Sequence, residues 1–173
     1  LTDNITFQGS TAADTINLNV DRSIKYGGDL IINMGAGNYT LHYAKLRSGD
    51  SVDMGAGDDS VWIDVANLAS LNMTQLDGGE DSDTLYFQYS TTSDGDVLTL
   101  TTSGATNFEN IVGTSNQEII QGDSGVNILD GGDGGDDIIY GGAGDDTLDG
   151  QNKNSLTHSH YTGHDPVYRG DGD

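Results

Sequence analysis

The stretch Gly141-Gly142-Ala143-Gly144-Asp145-Asp146-Thr147-Leu148-Asp149 constrains the fold more than any other part of the chain. It follows the nonapeptide pattern GGxGxDxUx, in which U is a large apolar residue. Glycines at positions 1, 2 and 4 let the backbone take φ > 0 and turn its carbonyls inward. Asp146 at position 6 adds a carboxylate to that ring of oxygens. Leu148 at position 8 leaves the turn in a short extended stretch and points into a core. Carbonyl and carboxylate oxygens are hard ligands, and they suit calcium, which takes 6–8 of them at about 2.3–2.6 Å.

One such turn is a weak signal, and the case rests on repetition. The unit returns as Gly131-Gly132-Asp133-Gly134-Gly135-Asp136-Asp137-Ile138-Ile139, with one extra residue, and as Gly122-Asp123-Ser124-Gly125-Val126-Asn127-Ile128-Leu129. Looser copies stand at Met54-Gly55-Ala56-Gly57-Asp58-Asp59-Ser60-Val61 and Gly78-Gly79-Glu80-Asp81-Ser82-Asp83-Thr84-Leu85, the latter with Asp81 where glycine is expected. In Met34-Gly35-Ala36-Gly37-Asn38-Tyr39-Thr40-Leu41 the ligand position holds Tyr39. Two degenerate copies begin at Gly9 and Gly113, the second with Glu118 in place of aspartate.

Nonapeptides of this kind mark parallel β-helices that bind calcium. The segments from Gly113 to Gly150, and more loosely from Gly9 to Leu85, resemble the RTX (repeats-in-toxin) family of secreted bacterial proteins. The expected fold is therefore all-β, a parallel β-roll or β-helix with calcium-binding turns. Irregular coils fill 1–112, a regular array fills 113–150, and 151–173 forms an irregular tail or cap on a single domain.

The spacing supports coils. From Gly35 to Gly55 is 20 positions and from Gly55 to Gly79 is 24, about two nonapeptides or one full coil. One turn per coil then stacks on one edge, with the loops 22–28, 45–50 and 67–74 on the other. In the dense array the turns fall on both edges. Apolar residues alternate in Leu30-Ile31-Ile32, Val61-Trp62-Ile63 and Leu85-Tyr86-Phe87, as in half-buried strands. Ser93-Asp94-Gly95-Asp96 predicts a hairpin between 86–89 and 97–101. The only helix candidate is 66–71.

The metal candidates are Asp59, Asp83, Asn127, Asp137 and Asp146 at position 6. Asp53, Asp77 and Asp130 just before their turns, Asp136 and Asp145 beside the ligand position, and Gly142 and Gly144 as carbonyl donors complete the set. Against solvated acidic loops stands the placement of the acids at fixed offsets from glycine, each followed by Ile, Leu or Val. Asp and Glu number 28 against 6 Lys and Arg, a formal charge of −22. Such a surface repels nucleic acid and anionic membrane. The turns also repel one another without cations, so calcium is the expected cofactor, several ions in all, and a folding switch. Cysteine is absent, so no disulfide contributes. No run approaches 18 apolar residues, so no membrane span is predicted. Leu1 begins no signal-peptide pattern, and the chain reads as an internal piece, monomeric within something longer.

Four of the six basic residues, Arg22, Lys25, Lys45 and Arg47, cluster with Tyr26 and Tyr43 on the edge away from the calcium turns. This patch suits a carboxylate-bearing ligand; the plainer reading is that these cations offset neighbouring aspartates. No enzymatic constellation stands out. Gly122-Asp123-Ser124-Gly125 is in register with the repeats rather than a nucleophile loop, and no His-Glu-x-x-His occurs. His158, His160 and His164 are a zinc possibility or plain loop residues, and Arg169-Gly170-Asp171 belongs to a repeat that is cut off. What the family resemblance adds is a function class: a calcium-dependent module of a bacterial surface adhesin, extracellular, that captures a peptide or protein C-terminus on a neighbouring cell. The alternatives are a calcium-stiffened spacer or secretion module and the accessory roll of a secreted enzyme.

Overall fold

A computed structural model describes residues 5–17, 28–43, 49–63, 73–88, 92–151, 156–158 and 167–168. Within them every strand pairing is parallel, and the chain winds as a β-solenoid. The expected all-β parallel coil is therefore the observed fold.

One face is a continuous eight-stranded sheet. It contains β2 (Thr15–Asn17), β4 (Thr40–Tyr43), β6 (Ser60–Ile63), β8 (Thr84–Phe87), β10 (Asn110–Val112), β12 (Ile128–Asp130), β14 (Thr147–Asp149) and β16 (Val167–Tyr168) in that spatial order. The opposite face is built from two four-stranded sheets. The first holds β1 (Ile5–Gln8), β3 (Leu30–Asn33), β5 (Ser51–Asp53) and β7 (Leu76–Asp77). The second holds β9 (Asp96–Thr99), β11 (Glu118–Gln121), β13 (Ile138–Tyr140) and β15 (Leu156–His158).

The strands form where apolar residues alternate, because successive side chains in a strand point to opposite faces. Leu41, Val61, Leu85, Ile111, Leu129 and Leu148 lie in register along the long sheet and are all fully buried. Their neighbours point outward. His42, Trp62 and Tyr86 stack on the outer face, with ring centroids 6.0 and 4.4 Å apart.

The turns 34–39, 54–59 and 78–83 stack on one edge, as the spacing predicts. Ala36, Ala56 and Glu80 bridge from coil to coil. Gly35 and Gly55 carbonyls accept the amides of Ala56 and Glu80 at 2.8 and 2.7 Å. This contact needs glycine: at Gly55, φ is +98°, and an added Cβ would lie 1.9 Å from the Gly35 carbonyl oxygen. From residue 113 onward, turns occupy both edges.

The predicted hairpin at 93–96 does not form. The amide of Asp96 does close a tight turn onto the Ser93 carbonyl, at 3.0 Å. That turn leads into a different sheet. Both edges of β8 are already taken, by β6 and β10, so β9 crosses to the opposite face and pairs parallel with β11. Leu98 is thereby fully buried while Val97 faces out. The only described helical turn is Thr102–Gly104, and the helix candidate at 66–71 falls outside the described residues.

Candidate metal centre in the turns

The position-6 residues stand one above another. On the first edge the column runs Tyr39, Asp59, Asp83, Glu109, Asn127, Asp146. Each acid reaches back one coil to accept a backbone amide. Asp59 Oδ1 takes the Tyr39 amide at 2.7 Å, Asp83 Oδ1 takes that of Asp59 at 2.8 Å, and Glu109 Oε2 takes that of Asp83 at 2.9 Å. Asp146 Oδ1 accepts from the Asn127 amide at 3.0 Å. On the second edge Asp137 Oδ1 accepts from the Glu118 amide at 2.9 Å. The repeat therefore has a structural use besides any ligand: its carboxylates tie consecutive coils together where the ladder of strands is interrupted.

The second oxygen is different. Asp59 and Asp83 are 1 % and 0 % exposed, and Oδ2 of each is buried with no hydrogen-bond donor. A buried carboxylate oxygen without a donor is costly. Burial accordingly pushes the Asp59 carboxyl up to about 6 and the Asp83 carboxyl up to about 7. The amide each accepts pulls the other way, and the surrounding acids, Asp58 and Asp53 for the first and Asp59, Glu109 and Asp58 for the second, add to the rise.

In the turn of Asp83 the position-1 glycine makes room for this oxygen; the turn of Asp59 has Met54 there. A Cβ added at Gly78 would lie 2.8 Å from Asp83 Oδ2. At Gly131 and Gly141 it would lie 2.5 Å from Oδ2 of Asp137 and Asp146, so those oxygens hold the same place in the regular array. Positions 2 and 4 are left-handed, with φ of +97° and +117° at Gly142 and Gly144. Asp81 keeps that conformation without being glycine, at φ +86°. The donor set, a desolvated carboxylate oxygen flanked by further acids in a glycine-rich turn, is of the hard-oxygen kind that a divalent cation such as calcium would take. Among the described residues no three His, Asp or Glu side chains converge on one point.

The other candidates divide by exposure. Asn127 is buried, but its amide has protein partners: Oδ1 accepts from the Asp123 amide at 2.9 Å, and Nδ2 donates to the Glu109 carbonyl at 3.0 Å. Asp53, Asp77 and Asp130 are half-buried at strand ends. Asp77 accepts from Asn107 Nδ2 at 2.7 Å, and Asp130 from the Gly132 amide at 2.8 Å and Gln151 Nε2 at 3.2 Å. Asp136 and Asp145 are exposed, so the acid beside the ligand position faces away from the core.

Tyr39, which replaces the ligand in its turn, fills the space itself: its ring is buried and its hydroxyl donates to the Ser10 carbonyl. Burial, with Asp14 and Asp59 nearby, raises its phenol above the ordinary value and keeps it neutral. The repeat pattern missed Glu109, because Ala105 and Asn107 replace two of the three glycines before it, and Asp50, which is buried and accepts the Leu30 amide at 2.8 Å.

All six Lys and Arg fall outside the described residues, as does Tyr26, so the basic patch of Arg22, Lys25, Lys45 and Arg47 is not placed. Of Tyr43 only the backbone, in β4, is described; the same holds for His158 in β15, and His160 and His164 fall outside. No protein-family model matches this chain, and no curated protein matches it either.

Proposed function

We propose that this chain is a calcium-dependent β-roll of the repeats-in-toxin type, serving as a ligand-binding module of a secreted bacterial adhesin. The calcium part is supported by one observation above the rest: Oδ2 of Asp59 and Asp83 is buried, anionic in its ordinary state and without a donor. Asp137 and Asp146 belong to the same set by position. Calcium supplies the missing positive charge, and the remaining oxygens come from the backbone of the turns. Extracellular calcium modules bind at about 10⁻⁴–10⁻³ M. At ~10 mM calcium and a Kd of ~0.3 mM, each site adds about 2 kcal/mol to folding. Inside a cell that contribution is lost, and the chain stays unfolded for export.

The test is calcium titration by calorimetry on the wild type and on D59N/D83N. The expected outcome is sub-millimolar to millimolar binding in the first and fewer ions bound in the second. A wild type that takes up no calcium contradicts the reading.

The adhesive part rests on the resemblance and on the sequence of the basic edge. Its ligand is a peptide or protein C-terminus, its place the bacterial surface. An array of peptides with free C-termini and of glycans, probed in calcium and in EDTA, tests it. Calcium-dependent peptide hits lost in K45E support a peptide module. Glycan hits redirect the site, and silence on both leaves a calcium-stiffened spacer.

A further inference from the structure

The turn at 113–118 follows the repeat in sequence, yet its acid is handled unlike the others. Glu118 is 0 % exposed and sits on the second edge directly before Asp137 in the column. It is one methylene longer than aspartate, and its carboxylate is surrounded by donors. Oε1 accepts from Thr92 Oγ1 at 2.6 Å and from Thr114 Oγ1 at 2.5 Å. Oε2 accepts from the Thr114 amide at 3.3 Å. Thr92 and Thr114 are themselves buried, and Asn116 closes the group, its Nδ2 donating to the Thr92 carbonyl at 2.9 Å.

The backbone differs too. In the turns of Asp59, Asp83 and Asp146, positions 2 and 4 are left-handed. Between residues 113 and 117 no residue has positive φ. Thr114 occupies position 2, and its amide and hydroxyl both point to the acid, where the turns of Asp59, Asp83, Asp137 and Asp146 present glycine. Charge-assisted hydrogen bonds are the strong kind, and three of them give this buried carboxylate the donors that Oδ2 of Asp59 and Asp83 lacks.

We infer that Glu118, Thr92 and Thr114 form a metal-free lock that takes the place of a calcium site at the entry to the regular array. This rests on the calcium reading of the neighbouring turns and says which turn is not loaded. Thr92 lies in the connection between β8 and β9, so the lock ties that connection to the first regular turn whether or not calcium is present. Calcium loading on the second edge then begins at Asp137.

The test uses the whole chain and two readouts, ions bound per chain by native mass spectrometry at saturating calcium, and the melting temperature in calcium and in EDTA. For E118Q the expected result is an unchanged ion count with a melting temperature lowered by roughly 4–10 °C in both media. T92V, which keeps the carboxylate and removes one donor, is expected to leave the count unchanged and to lower melting by a smaller step, again in both media. Loss of one ion in E118Q, or a loss of stability in T92V seen only with calcium, overturns the lock. If E118Q does not fold, T92V alone decides. A wild type that binds no calcium defeats the calcium reading instead; the lock is then judged by the drop in melting temperature in EDTA.

Discussion

The two halves of the solenoid share one eight-stranded sheet but are held together differently. In the N-terminal half, equivalent positions recur after 20, 24 and 26 residues. The extra length brings in large side chains, and Met34, Tyr39, Met54, Ile63, Met73 and Phe87 join the row of Leu41, Val61 and Leu85 in the core. In the C-terminal half the step shortens to 18 and 19 residues, and turns occupy both edges. From β10 to β14 each strand buries one apolar side chain: Ile111, Ile120, Leu129, Ile139 and Leu148. Hydrophobic burial scales with apolar area removed from water, so the second half draws less from its core and more from its turns. A repeat this short leaves packing less to contribute, and on the proposed calcium reading the charges in its turns are neutralised by ions.

The largest expected effect follows directly. Four sites at about 2 kcal/mol each amount to about 8 kcal/mol, comparable to the whole stability of an ordinary domain. Chelation is therefore expected to lower the melting temperature by about 15–30 °C, in a scan in 10 mM calcium against one in EDTA.

A narrow core also leaves nothing to compensate for a cavity. L148A is expected to cost about 3–5 kcal/mol, and L85A in the wider half about 2–3 kcal/mol, measured by urea unfolding in calcium. Equal costs would erase the contrast between the halves.

How much of this was legible in advance depends on what kind of information each feature uses. The parallel coil and the stacking of the turns 34–39, 54–59 and 78–83 follow from local rules, glycines for left-handed turns and alternation for strands. So does the recurrence of Asp59, Asp83, Asp137 and Asp146 at one position of their turns, though not their burial. The β8 to β9 connection reads as a hairpin in the sequence, because a tight turn at 93–96 has the same residues whether the chain doubles back or changes sheet. What decides is that β8 already has neighbours on both sides, which is non-local. Glu109 is hard to see for a different reason: it enters the column 26 residues after Asp83, in a unit that keeps Gly104 at position 1 and Ile111 at position 8 but has Ala105 and Asn107 where glycines are expected. Tyr39 shows the converse, since its replacement of aspartate was plain in the sequence while its contact with Ser10 was not.

Acidity separates bound from calcium-free behaviour. The folded-state values of about 6 for Asp59 and about 7 for Asp83 lie above the ordinary 3.8. Folding therefore carries no ionisation penalty below pH ~4, where both states are protonated. The penalty grows as pH rises toward 7 and is complete above it, on the order of a few kcal/mol. In EDTA, the N-terminal half is expected to be more stable at pH 5 than at pH 8. With calcium the order reverses, because protons compete with the ion. Melting at the two pH values, with and without calcium, checks this.

Smaller effects refine the picture of the first half. W62A removes the middle ring of the His42, Trp62, Tyr86 stack and is expected to cost about 1 kcal/mol beyond lost area, with no change in calcium uptake. D81G relieves a left-handed aspartate and is expected to be stabilising by about 0.5 kcal/mol, read from the same unfolding curves.

The most direct test of the central claim is hydrogen exchange followed peptide by peptide, in 10 mM calcium and in EDTA. The account predicts slow exchange throughout β3 to β14 with calcium. In EDTA it predicts rapid exchange in β11 to β14, while β4, β6 and β8 keep a measurable part of their protection. Identical protection of β11 to β14 in both media would contradict it, since the buried carboxylates of Asp137 and Asp146 would then be holding their half of the solenoid without an ion.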